Sequence, residues 1–350
     1  MKKIQWVVLL AFFLNTLQTT GQTASFASQT ASLDRLQFFL DDRPLEMTVA
    51  TDFRKMQSER KKGVYQNGSV TMNLPGIDPI TEDIRLYARG EFRRQNCRMP
   101  GLMVNFKTPN SPVLSPLKKM KLTCGCGPSS NEERLLLTEY LIYKMYTLFT
   151  DMSLKVRLSK VTYRDTREKM KEYTQYGFLM EDVDDMAARN SCKEVEGKTF
   201  VTEQTNRKQM TLVAIFQYMV GNTDWSVPNY HNIKLMRSKE DSLSLPYVVP
   251  YDFDFAGMVN AYYATPTQEL GIEKVTERLY RGFPRRMDEL QETLDIFRNK
   301  KEEVFALVSG FELIKKNERD LMLRYLQEFY TTIENPRQVQ KIFIDNARTQ

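Results

Sequence analysis

The chain has 350 residues and carries 50 Lys and Arg against 44 Asp and Glu, a formal charge of +6. That surplus is small for the length, so nucleic acid is not the partner the charge points to. A single histidine beside four cysteines also disfavours a structural zinc site, because Cys124-Gly125-Cys126 lacks the usual ligand spacing.

Residues 1–21 read as a secretory signal: Lys2 and Lys3 make the positive end, residues 4–14 the apolar stretch, and Thr19, Thr20 and Gly21 a small-residue exit. The apolar run is too short to span a bilayer and no cysteine precedes Cys97, so no stable membrane anchor is expected. A buried N-terminal helix is the alternative, but the polar residues that follow suit an exported linker over 22–43. Cleavage leaves roughly 330 residues, enough for one large domain or two modest lobes, with a charge of about +4. Export to the periplasm or beyond makes disulfides expected, and Cys97, Cys124, Cys126 and Cys192 allow three connectivities. Cys124 and Cys126 are too close to pair comfortably, so each is expected to bond a distant partner, with Cys192 tied back to the first half. Free thiols are the alternative.

Residues 45–122 alternate at period two and are broken by turn signals, which predicts mostly antiparallel sheet. Asn67-Gly68 between 64–66 and 69–72 reads as a hairpin turn. Further strands are predicted over 84–87, 102–106 and 117–123. Between two of them lies Arg89-Gly90-Glu91-Phe92-Arg93-Arg94, a loop that could lay guanidinium forks on phosphate oxygens or be a solvated basic turn.

Ser130-Asn131-Glu132-Glu133 is a capping box, and apolar residues at helical spacing continue it over 135–149. Glu139 falls on the apolar face and needs a partner there. Lys121 on the preceding strand could reach it; equally, Glu139 could sit half exposed at a rim and Lys121 on an edge strand. Strands are predicted again over 156–163 and 176–180, the second running into Glu181-Asp182-Val183-Asp184-Asp185. After Asn206 the pattern turns helical. Beyond 257, stripes Leu290, Leu294, Phe297 and Leu321, Tyr325, Phe329, Ile333 predict packing helices.

The densest chemistry lies between Gly221 and Gly257. Asp224, Asn232, Asp252 and Asp254 stand in two loops that each follow an apolar run, so buried elements should present them. Phosphoryl transfer asks for a carboxylate that orients the attacking hydroxyl and for hard oxygen ligands that hold Mg²⁺ against phosphates. An Asp, a following Asn and a second Asp on a neighbouring loop supply both. Here Asn232 stands eight residues after Asp224 rather than five, and Asp252-Phe253-Asp254 replaces Asp-Phe-Gly.

Taken in order, Arg89-Gly90-x-x-Arg93, Lys121, Glu139, the strand ending in Glu181, Asp224 with Asn232, and Pro250-Tyr251-Asp252-Phe253-Asp254 resemble the CotH kinase family, secreted and spore-coat-type atypical kinases. The resemblance spans residues 84–257, about half of the chain. It implies an α+β, bilobal, protein-kinase-like fold, with a sheet-rich small lobe over 44–182 and a helical large lobe over 183–350. It also implies ATP and Mg²⁺ or Mn²⁺ as cofactors. Asp224 would be the catalytic carboxylate, with Lys121 and Glu139 as the strand–helix ion pair. Arg89, Gly90 and Arg93 would form the phosphate-side loop, and Glu181 to Val183 the segment whose backbone reads adenine. Asn232, Asp252 and Asp254 would be the metal ligands. An acidic covering loop or a calcium site is the other reading of 181–185. The implied activity is transfer of the γ-phosphoryl group to a hydroxyl of an envelope or secreted protein, or of a glycan. An exported pseudokinase that binds nucleotide or partner without turnover is the alternative.

Overall fold

The structure, a computed structural model, describes residues 34–349; the expected signal over 1–21 and most of the expected linker lie outside them. The last part of that linker is ordered by its own side chains. Asp34 caps α1 (Arg35–Leu40) by accepting from the Leu36 and Gln37 N–H groups, and Phe38 and Phe39 are buried. Arg157 donates to the Phe38 carbonyl and to Asp41, which fixes the segment against the sheet.

Alternation of buried and outward positions builds β1 (Leu45–Thr51), β2 (Gln66–Asn73), β3 (Ile80–Arg89), β4 (Gly101–Asn105), β5 (Lys119–Cys124), β6 (Val156–Asp165) and β7 (Tyr173–Met180). They close a barrel in the order β1-β2-β3-β4-β5-β7-β6. Between β1 and β2 runs α2 (Phe53–Glu59), between β3 and β4 α3 (Glu91–Asn96), and between β5 and β6 α4 (Ser130–Thr147). Val49, Val70, Met72, Leu86, Leu102, Val104, Leu122 and Val161 fill the barrel.

The chain continues through α5 (Val183–Arg189), β8 (Cys192–Glu194), α6 (Arg207–Val220), β9 (Ile233–Ser238) and β10 (Tyr247–Pro250), then α7 (Met287–Asn299), α8 (Lys301–Ser309) and α9 (Lys316–Glu334). The sheet β10-β9-β8 is antiparallel. A second core joins α4, α6, α7 and α9 to the outward faces of β6 and β7 through Val156, Leu158, Phe178 and Met180. No helix among the described residues is long and apolar enough to cross a membrane.

The bilobal kinase-like architecture is therefore not what the chain forms. Its β1 is paired on both edges: antiparallel to β2, and parallel to β6 from Leu45↔Ser159 to Thr51↔Asp165. That parallel pair closes the sheet on itself and removes its edges, and residues 34–349 belong to one compact unit. Sequence periodicity carries no information on a pairing between segments over a hundred residues apart. Asn67-Gly68 is likewise not a turn but lies inside β2, opposite Thr51 and Ile84. A Cβ on Gly68 would stand 2.6 Å from the Ala50 carbonyl oxygen, so the glycine serves close strand approach.

Candidate functional site

Two loops are held against each other by backbone bonds. The apolar helix α6 ends at Gly221, which adopts φ 70° and whose Cα is so close to the Tyr325 hydroxyl that no side chain fits. Gly257 N–H donates to the Gly221 carbonyl at 3.0 Å, and Met258 N–H to that of Val220 at 3.1 Å. The loop after α6 and the loop after β10 thus leave the core side by side.

The first loop shapes Asp224. Ser226 and His231 exchange two backbone hydrogen bonds, at 3.0 and 2.9 Å, so the intervening residues are looped out. That small bridge accounts for the eight-residue spacing: it returns Asn232 to Asp224, where the Asn232 amide donates to the Asp224 carbonyl at 2.8 Å and to Oδ2 at 2.9 Å. His231 Nε2 lies 2.8 Å from Oδ1, so both carboxylate oxygens are oriented. In turn the Asn232 carbonyl accepts from Tyr251 N–H at 3.0 Å, which ties this loop to β10.

On the second loop Asp252 has φ 62° and its N–H donates to the Tyr143 hydroxyl of α4 at 2.7 Å. Asn232 is also left-handed, at φ 52°. Non-glycine residues held in that region mark sites where surrounding structure imposes the conformation. The half-buried Asp252 carboxylate makes no hydrogen bond or close ion pair with another described residue, and neither does the Arg89 guanidinium. Both line a cleft of about 690 Å³ together with Gly90, Arg93, Asp224, His231, Asn232, Tyr251 and Asp254.

Behind that cleft lies a closed cluster. Glu139, 2 % exposed, takes its ion pair from Arg93 at 3.3 Å and not from Lys121. Arg93 also contacts Asp254 at 3.4 Å and donates to the Cys124 carbonyl at 2.6 Å, while the Tyr263 hydroxyl donates to Asp254 at 3.1 Å. Burial pushes the Glu139 carboxyl up to about 8, against the pull of Arg93. Burial and the neighbouring Asp252 charge raise Asp254 to about 6. Burial opposes the Arg93 charge, yet Glu139 and Asp254 hold it protonated. Arg93 and Asp254 are thus paired with one another while both still border the cleft.

Lys121 stands beside a smaller hollow of about 180 Å³, which it lines with Glu181 and Val183. Its ammonium lies 5.1 Å from the Tyr251 ring centroid. Burial, then the Arg89 charge, brings its pKa down to about 8, with Asp252 and Asp182 acting the other way. Glu181 is bound to Arg189 at 2.9 Å and to Lys155 N–H at 2.9 Å, and its own N–H is taken by the Lys155 carbonyl. That leaves no free Glu181 amide for a base. Asp182 caps α5, which begins at Val183. His231, Tyr251 and Tyr263 border the site and carried no signal in the sequence beyond lying next to Asn232, Asp252 and in the loop at 262–266, while Tyr143 reaches Asp252 from α4, four residues after Glu139.

Among the described residues no group of three His, Cys, Asp or Glu could hold a metal by itself. Asp252 and Asn232 both line the cleft and offer a sparse supply of hard oxygens, which suits a cation such as Mg²⁺ that completes its shell with water and phosphate oxygens. The opposite charges of Arg89 and Asp252 on one cleft suit an anion and a bridging cation together. Compared with known proteins, the chain matches no protein-family model and no curated protein.

Proposed function

We propose that the cleft binds ATP with Mg²⁺ or Mn²⁺ and transfers the γ-phosphoryl group to a hydroxyl of an exported acceptor, a protein or a glycan, as the motif order resembling the CotH kinases implies. The observation that carries this is the division of labour across the cleft. Asp224 is oriented through both oxygens, whereas the Asp252 carboxylate and the Arg89 guanidinium make no hydrogen bond or close ion pair with a described residue and line the cleft. Asp252 and Asn232 would hold the cation. When bound, that cation supplies charge neutralisation at the phosphates. Arg89 would meet phosphate oxygens, and Asp224 would accept the proton of the attacking hydroxyl. The Cys97–Cys126 disulfide accords with an oxidising compartment, and so with export.

A pseudokinase that binds nucleotide without turnover is the second reading. Its specific support is that both Asp224 oxygens are already engaged, Oδ1 by His231 and Oδ2 by the Asn232 amide, so an incoming hydroxyl must compete for them. Transfer of radiolabelled phosphate separates the two. Asp224→Asn should reduce transfer by about 10²–10⁴-fold with little change in nucleotide affinity. Nucleotide affinity indifferent to EDTA and to Asp252→Asn would remove the cation from the proposal. Tight binding with no transfer to any acceptor would leave the pseudokinase.

A further inference from the structure

A second concavity, of about 520 Å³, opens on the barrel away from the site residues above and is lined by Arg54, Arg60, Arg98, Lys169 and Lys171 with three uncharged residues. No carboxylate lines it. Like charges do not gather in a hollow without cost, and the nearby acids form their close ion pairs elsewhere: Asp52 with Arg167, feeling Lys169 only through the longer-range field, and Glu59 with Lys62. Arg54, Arg98, Lys169 and Lys171 make no ion pair with a described residue.

The walls are built. Asp165, buried at the end of β6, accepts from Lys169 N–H at 2.7 Å, Met170 N–H at 3.3 Å and Phe53 N–H at 2.9 Å, which locks the β6–β7 turn to the start of α2. From α2, Gln57 donates to the Arg98 carbonyl at 2.9 Å. Arg60 donates to the carbonyls of Cys97 at 2.9 Å and Gln95 at 3.2 Å. Three segments are thus fastened into one rigid basic trough.

Its position relates it to the cleft, because Gln95 and Asn96 line the cleft while Arg98, two residues on, lines the trough. No aromatic side chain lines it on which a base could stack. We propose that the trough docks an acidic segment of the acceptor polypeptide, so that a hydroxyl carried nearby in that segment is presented to the cleft. This rests on the phosphotransfer reading for its purpose but not for its binding.

Fluorescence anisotropy of a short labelled Glu-rich peptide tests it. Binding should weaken as salt rises from low to physiological and fall about tenfold in Arg54→Glu/Lys171→Glu, as expected for exposed ion pairs replaced by repulsion. Both side chains are exposed, so the variant should melt with the wild type and bind ATP·Mg²⁺ equally. Peptide bound by a wild type that transfers no phosphate keeps the docking surface and overturns only the chemistry. Peptide not bound, bound equally by the variant, or replaced by inorganic tripolyphosphate or single-stranded DNA as the sole ligand overturns the docking surface even where phosphotransfer is found.

Discussion

Two clusters of charge lie side by side in this molecule and use the same residue types to opposite ends. In the closed one, Arg93, Glu139, Asp254 and Tyr263 satisfy one another largely away from water, with Arg93 and Asp254 at the cleft wall. In the open one, the Arg89 and Asp252 side chains face a cleft and make no hydrogen bond or close ion pair with a described residue. A buried pair costs desolvation that its Coulombic attraction only partly offsets, so its value lies in what breaks when one member is removed. An unpartnered charge at a cleft adds nothing to folding and is free for a ligand. Which residues act and which merely hold cannot be told from residue type, only from who has already been paired.

Removing the cation of the closed cluster should have the largest effect on stability. Arg93→Ala leaves two buried carboxylates sharing no counter-charge and should cost about 3–5 kcal/mol, read from the denaturant midpoint. Adding Glu139→Gln should recover part of it. The same cluster sets a pH dependence. Glu139 titrates at about 8 in the fold against an ordinary 4.5, so the native state keeps a proton that the unfolded chain releases. Its contribution is complete below pH 4.5 and is lost as pH rises towards 8. Glu139→Gln should flatten that slope; a slope unchanged by the substitution would mean that the carboxylate is ionised and fully compensated by Arg93.

The disulfide sharpens the contrast, because it stands against the closed cluster. Cys97 follows the helix that carries Arg93, Cys126 precedes the helix that carries Glu139, and both line a small cavity with Arg93, Glu139 and Asp254. Cys124 and Cys192 are free and buried, with burial pushing the Cys124 thiol up to about 11. Cys192 is not tied back to the barrel. With 29 residues of separation the bridge should contribute about 3.5 kcal/mol, so Cys97→Ala/Cys126→Ala should lower the melting temperature. Alkylation without reductant should label Cys124 and Cys192 alone, and only on unfolding. Four labelled thiols in exported protein would dissolve this link between cluster and bridge.

Local pattern revealed much of the scaffold. Alternation over 156–163 belongs to a strand that the structure extends to Asp165, and the apolar run after Asn206 is a buried helix capped by that residue. The stripe on the last long helix was legible at Phe329 and Ile333, but Met322 and Leu326 are buried where Leu321 and Tyr325 were expected. Two neighbouring apolar phases of one helix cannot be separated until its partner surface is known. The parallel β1–β6 pair, the Arg93–Glu139 contact and the Ser226–His231 bridge all depend on where distant backbones are placed. Hence residue type and order single out Asp224, Asn232 and Asp252, which the fold brings to one cleft, whereas the contacts of Arg93 with Glu139 and Asp254 and of Lys121 with Tyr251 could not be read from them.

Lys121 gives the smallest effect and the finest test of the comparison. Had it been the partner of Glu139, its loss would strand a buried carboxylate and cost several kcal/mol. The structure leaves Glu139 to Arg93 and sets the Lys121 ammonium over the Tyr251 ring, a contact whose removal should cost about 1 kcal/mol. Lys121→Met keeps the stem and removes the charge, so it should melt close to the wild type while weakening nucleotide binding, since Lys121 neighbours Asp252 and opens onto the small hollow. Calorimetric unfolding and nucleotide titration on the same preparation separate the outcomes. A loss of stability matching that of Arg93→Ala would place Lys121 in the closed cluster, and unaltered nucleotide binding would remove it from the open one.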